Sequence, residues 1–228
     1  MRNFTRFSVI ALAVVSAFTL SSCGDDNGPT APILKARVMA VHASPDAPGV
    51  DLLVDDAVAG TNLTYPNNTP YLEVRAGTRN VKVNVTGTST TVIEADLPLS
   101  ANAYYSVFAT DAVANIAPLV LTDDLTTPAA GKAHVRFVHL SPDAPAVDVA
   151  VTSGPVLFGN TAFKGYSAFT PVDAGTYDLE VRLAGTSTVV LSLPGITLTA
   201  GKIYTAWAKG FVAGAGAQAI GAQIIVNN

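Results

Sequence analysis

Cysteine is almost missing from this chain: Cys23 is the only one in 228 residues. A single thiol cannot close an intrachain disulfide, so stability has to come from packed apolar cores. Charge is scarce as well, at 13% of residues, and the balance is acidic, with 13 Lys and Arg against 17 Asp and Glu. Basic residues that are few and scattered leave no electrostatic footprint for nucleic acid, which is excluded as a partner. Histidine occurs three times and tryptophan once. Beyond the first 20 residues no apolar run approaches the roughly 20 that a membrane-spanning helix requires. No segment after the leader carries a helical apolar period.

The first 22 residues read as a leader. Arg2 and Arg6 supply positive charge, and Phe7 to Leu20 is a non-ionisable, mostly apolar run. Its length is that of a signal-peptide core rather than of a membrane span. It ends on Leu20-Ser21-Ser22-Cys23, which is similar to a bacterial lipoprotein signal. Cys23 is therefore expected to carry the lipid, with the membrane as a partner through that anchor. Several acyl chains on one residue hold firmly, since each buried methylene contributes about 0.8 kcal/mol. Residues 23–35 read as the lipidated cysteine and a flexible tether rich in Gly, Pro, Asp and Asn. Gly24 rather than Asp follows Cys23, which favours the outer membrane over the inner. The pair Asp25-Asp26 resembles a surface-export signal, so a surface-facing location is a further expectation.

One phrase is written twice. Val41-His42-Ala43-Ser44-Pro45-Asp46-Ala47-Pro48-Gly49-Val50-Asp51 returns as Val138-His139-Leu140-Ser141-Pro142-Asp143-Ala144-Pro145-Ala146-Val147-Asp148. Other landmarks recur at nearly the same offset, Gly77 with Gly175 and Tyr105 with Tyr204. A unit near 100 residues is too long for a solenoid repeat and is the size of a β-sandwich domain. Period-2 alternation supports strands, most clearly in Val81 to Thr86 and its partner Leu179 to Ala184. The expected fold is all-β: two tandem immunoglobulin-like β-sandwich domains after a lipoprotein signal peptide. Repeat 1 spans 36–122, a linker 123–132, and repeat 2 133–228. One larger sheet shared by both copies is the alternative.

The repeated phrase holds two of the three histidines. Two prolines remove N–H donors and fix φ, so Ser-Pro-Asp-Ala-Pro cannot lie within a strand. It reads as a stiff connection from the strand ending at His42 to the one starting at Val50. Strand parity places His42 with Val38 and Ala40, and His139 with Val135 and Phe137, on a core-facing side. Asp51 and Asp148 fall on the opposite side of the next strand. The candidate residues are thus His42, Ser44, Asp46, Asp51, His139, Ser141, Asp143 and Asp148, as a structural corner or a ligand site. Two sharper readings use the same residues. His42, Asp46 and Asp51, with their twins, carry imidazole and carboxylate ligands of the kind zinc or calcium takes. Ser44 with His42 and an Asp carries the ingredients of a hydrolase. The serine lacks an evident oxyanion hole, and parity separates His42 from Asp51. The preferred reading assigns no catalytic residue, no metal and no cofactor. Tyr104, Tyr105 and Phe108, matched by Ile203, Tyr204 and Trp207, read as sheet or core filler, with sugar stacking as the alternative.

The run from Ala36 to Asp51, with its second copy from Ala133 to Asp148, resembles the opening of the bacterial domain of unknown function 4397. His134 replaces the Arg37 of the first copy, and the Gly-Thr turns at Gly77 and Gly175 fit as well. The resemblance implies exported, β-rich modules of the cell envelope and carries no activity or catalytic residues. The expectation is a lipid-anchored envelope protein that binds a protein or glycan partner, or serves adhesion or envelope structure, without catalysis. The alternative is an exported hydrolase or a metal-dependent adhesion module built on the repeated phrase.

Overall fold

The computed structural model describes residues 32–228. The leader, Cys23 and most of the tether lie outside the described residues. Residues 33–228 form one compact unit, and within it the chain makes two β-sandwich modules. Module 1 holds β1 (Lys35–Ala43), β2 (Val50–Val54), β3 (Ala57–Leu63), β4 (Leu72–Arg75), β5 (Gly77–Val85), β6 (Thr91–Leu99), β7 (Tyr104–Thr110) and β8 (Ala117–Asp123). Module 2 repeats them as β9 (Lys132–His139), β10 (Val147–Val151), β11 (Val156–Thr161), β12 (Thr170–Asp173), β13 (Gly175–Leu183), β14 (Val189–Leu198), β15 (Ile203–Lys209) and β16 (Gly221–Val226).

Each module has two four-stranded sheets. In module 1 the orders are β4-β1-β7-β8 and β3-β2-β5-β6, and module 2 follows as β12-β9-β15-β16 and β11-β10-β13-β14. Four separate sheets rule out a single sheet shared by both copies. The two-sandwich architecture is the expected one. Its strand order, four and four with β1 parallel to β7, differs from the seven-stranded constant-type arrangement of ABED on CFG.

Alternation builds the inner faces. Val38, Ala40, Leu52, Val81, Val83, Ile93 and Val107 fill the core of module 1. Val135, Phe137, Val147, Val149, Phe158 and Val181 fill that of module 2. A third core lies between the modules, where Met39, Val41, Ala43, Phe108 and Leu121 meet Val138, Leu140, Trp207 and Ile225. The sheets β4-β1-β7-β8 and β12-β9-β15-β16 are therefore packed on both faces, and residues 33–228 form a four-layer stack. Strands β1 and β9 are buried on both sides over most of their length. A two-sided burial requires near-continuous apolar sequence, and Val38-Met39-Ala40-Val41 and Phe137-Val138 supply it.

Asp123 ends β8 buried, at the heart of a polar cluster in this seam, rather than opening a linker. Arg136 Nη1 of module 2 lies 2.8 Å from Asp123 Oδ1. Asp123 Oδ2 accepts bonds from Ser106 Oγ (2.7 Å) and Tyr71 Oη (2.6 Å). Arg136 Nη2 donates to Thr205 Oγ1 (2.9 Å), Thr205 bonds Asn227, and Asn227 donates to Tyr71 Oη at 3.0 Å. Burial, with the Asp123 charge beside it, pushes the Tyr71 hydroxyl well above the usual tyrosine range. Phe169 lies under the Arg136 guanidinium, 4.4 Å to the ring centroid.

Candidate functional site

The repeated phrase is the crossing from one sheet of each sandwich to the other. β1 ends at Ala43 in one sheet and β2 begins at Val50 in the facing sheet. β9 and β10 are joined in the same way. His42 and His139 are fully buried. His42 Nε2 lies 2.9 Å from the Pro48 carbonyl, and His139 Nε2 lies 3.0 Å from that of Pro145. A carbonyl only accepts, so Nε2 carries the proton in both rings. Ser141 N–H donates to His139 Nδ1 at 3.3 Å, which completes the neutral tautomer. Burial holds both histidines below the usual imidazole pKa, against the opposing pull of the proline carbonyl. Each ring therefore staples the far end of its corner to the strand that leads into it.

The carboxylates staple backbone as well. Asp46 accepts the N–H of Val113 at 2.8 Å, and Asp143 that of Val212 at 2.9 Å. These bonds tie each corner to the β7–β8 and β15–β16 loops. Asp51 accepts from Asn62 N (2.8 Å), Gly87 N (3.2 Å) and Thr86 Oγ1 (3.1 Å). Asp148 accepts from Asn160 N (2.6 Å) and Gly185 N (2.8 Å). Backbone N–H donors, Asn62 first for Asp51 and Asn160 first for Asp148, hold both carboxyls below the usual range.

The serines are buried and neither hydroxyl is bonded to a histidine. Ser141 Oγ donates to the Gly210 carbonyl at 2.6 Å. Ser44 Oγ has no hydrogen-bond partner among the described residues. A nucleophile must reach its base and its substrate, and each histidine Nε2 here points at a proline carbonyl. Nor do the metal candidates converge: no group of three His, Cys, Asp or Glu that could hold an ion occurs among the described residues. Trp207 and Phe108 are wholly buried in the seam and Tyr105 in the module 1 core, which removes them as exposed stacking surfaces.

A stability prediction follows. Both native rings are neutral with lowered pKa, so the unfolded chain binds more protons once pH falls towards 6.5. Unfolding free energy should therefore fall as pH drops below about 6.5, with a limiting slope of one proton per histidine. Asp51 and Asp148, lowered in the fold, add their own losses below about pH 4. Denaturant titrations of residues 33–228 between pH 7.5 and 5 would show this slope. A His42→Ala/His139→Ala double variant should be less stable throughout and flat over that interval.

Sequence reasoning did not find a recess beside the second corner. In module 2 a cavity of about 450 Å³ opens beside His139 and Pro145, walled by Leu183, Val190, Leu191, Val212 and Ile220. The signal was present: the segment between β15 and β16 is longer than its counterpart between β7 and β8.

The two corners share one end of the molecule. β1 and β9 both run towards their corners, and Tyr65 of module 1 packs edge-on to both His42 and Trp207. Lys164, beside the second corner, pairs with Asp111 of module 1 at 3.1 Å. Ile33 and the β8–β9 connection lie at the opposite end, since Asp123 stands level with Tyr104 and Arg37.

These features define a class: a double β-sandwich fused back to back, with a histidine-stapled corner in each module and both corners on the end remote from Ile33. The chain belongs to the family described as domain of unknown function (DUF4397), whose sequence model matches residues 36–150. The match runs from β1 through β10, across module 1 and into module 2. Among solved structures, the family 26 carbohydrate-binding module CBMbc from Eubacterium rectale Amy13K, in complex with maltoheptaose, is similar at 9% identity and a TM-score of 0.26, over 84% of this chain and 96% of that one. At that score the likeness transfers neither site nor ligand. No curated protein matches the chain.

Proposed function

We propose that this is a lipid-anchored binding protein of the cell envelope, without catalysis, that holds the corner end of its double sandwich away from the membrane. The observation that carries this reading is the polarity of the body. The chain enters at Ile33, at one end, while both corners and the module 2 cavity lie at the other. A chain anchored through Cys23 would present that far end to a protein or glycan partner. The ten residues from Cys23 to Pro32, extended, span at most about 35 Å, enough to lift the body clear of lipid headgroups. The engagement of His42, Asp46, Asp51 and their twins by backbone groups supports a structural use of these residues over a chemical one. The outer membrane, with a surface-facing orientation, is the proposed location.

Metabolic labelling with an alkyne-bearing palmitate tests the anchor. The wild-type chain, made in a bacterium with lipoprotein processing, should take up label, and Cys23→Ser should lose it and leave the membrane fraction. Equal labelling of both, or of neither, would overturn the anchored reading. Protease shaving of intact cells then reads orientation, with cleavage expected for a surface-facing body.

A further inference from the structure

The two modules are copies that control for one another, and on the far end they differ most in the length of one loop. β7 and β8 are joined by the short segment 111–116, β15 and β16 by the longer segment 210–220. Both loops start alike, with the N–H of Val113 or Val212 held by the corner carboxylate. Both end on isoleucine, Ile116 and Ile220, directly before the last strand. In module 1, Ile116 and Val92 pack against the core. The void beside His42, Val50 and Ile93 is only about 30 Å³. In module 2 the equivalents Ile220 and Val190 instead wall the cavity of about 450 Å³, with Val190 39% and Val212 53% exposed at its rim.

The longer loop is closed on itself by backbone contacts. Phe211 N donates to Gln218 O at 2.8 Å and Gly214 N to Phe211 O at 3.0 Å. Gly210 has φ +81, and a Cβ there would meet Ala219 O at 2.2 Å; at Gly214 a Cβ would meet Gln218 O at the same distance. Only glycine fits a backbone that close. An apolar recess of this size loses packing and exposes aliphatic surface, and both cost stability. Its volume falls in the range of small-molecule sites, roughly 300–1,000 Å³.

The walls identify the occupant. No lining residue is charged, and the two polar ones, His139 and Ser141, are already bonded within the protein. Module 1 shows what fills the same space when it is filled: the aliphatic side chains of Ile116 and Val92. We infer that the module 2 cavity is a binding site for an uncharged aliphatic group, of the size of a medium-length acyl chain, entering between Val190 and Val212. This deepens the binding reading above and rests on it.

The test is calorimetric titration of residues 33–228, a self-contained compact unit, with 1-octanol. Saturable binding with a negative heat-capacity change is expected. Val190→Phe, which puts a ring into the mouth, should weaken binding at least ten-fold. Val58→Phe, at an exposed site in module 1, should leave binding unchanged. Circular dichroism checks the fold, and Val212→Phe replaces Val190→Phe if the latter fails to fold. Absence of saturable octanol binding, or equal binding by the mouth variant, overturns the site. That outcome is distinct from failure of the anchoring reading, because residues 33–228 lack Cys23 and the labelling test does not involve the cavity.

Discussion

Arg136→Met is expected to lower the unfolding free energy by about 3–5 kcal/mol, because it strands the Asp123 carboxylate in a buried seam. Both side chains are almost inaccessible, 2% and 0%. The repeat provides the compensating change. Met39 opposes Ser106 in module 1 where Arg136 opposes Thr205 in module 2. Asn227 follows Val226, the partner of Tyr204, as Asp123 follows Thr122, the partner of Tyr105. Arg136 and Asp123 are thus the charged forms of positions that are Met and Asn in the other copy. Arg136→Met with Asp123→Asn removes both charges and leaves an amide able to bond Tyr71 and Ser106. Replacing both members of a buried ion pair is often close to neutral. The double variant should recover most of the loss. A denaturant double-mutant cycle on residues 33–228 measures it, and a double variant as unstable as Arg136→Met would show that the pair is not coupled in this way.

Trp207→Ala should cost a similar amount, about 3–5 kcal/mol. Trp207 is fully buried and is the largest side chain in the seam, among Val41, Phe108 and Leu140. Its loss opens a cavity between layers that each belong to a different module, and rigid sheets on both sides limit collapse. Trp207 is also the only tryptophan, so its fluorescence reports the seam. In the wild-type protein the fluorescence and far-ultraviolet circular dichroism midpoints should coincide, as the modules unfold with their seam. In Trp207→Ala, followed by circular dichroism, the midpoint should fall. A loss under about 1 kcal/mol would mean that the seam relaxes around the gap.

Much of the corner was legible because its physics is local. Two prolines forbid a strand, parity sets which side His42 and Asp51 face, and a buried imidazole needs a partner. The identity of that partner, Pro48, depends on how the turn closes. Strand β3 is not legible in the sequence because Ala57 to Leu63 shows little alternation; it is an edge strand with several exposed positions, where burial exerts little constraint on sequence. The cavity was missed for a different reason. Gly214, Gly216 and the alanines around them carry no apolar period, and only the contact of Gly210 and Gly214 with the opposing backbone shows a shaped loop.

By itself the sequence determined the all-β class, the duplication, the corner between β1 and β2, and the inward-facing residues of each sandwich. These follow from period, turn chemistry and repetition, all carried by neighbours along the chain. Only the tertiary structure decided that the sandwiches share a buried seam, that Asp123 belongs to that seam, and that one copy keeps an open apolar recess where the other is packed shut. Those outcomes depend on which surfaces meet after the chain has folded, as in the bond from Asn227 to Tyr71, 156 positions apart. Local pattern constrains which face of a strand is apolar, but it does not specify what that face is packed against.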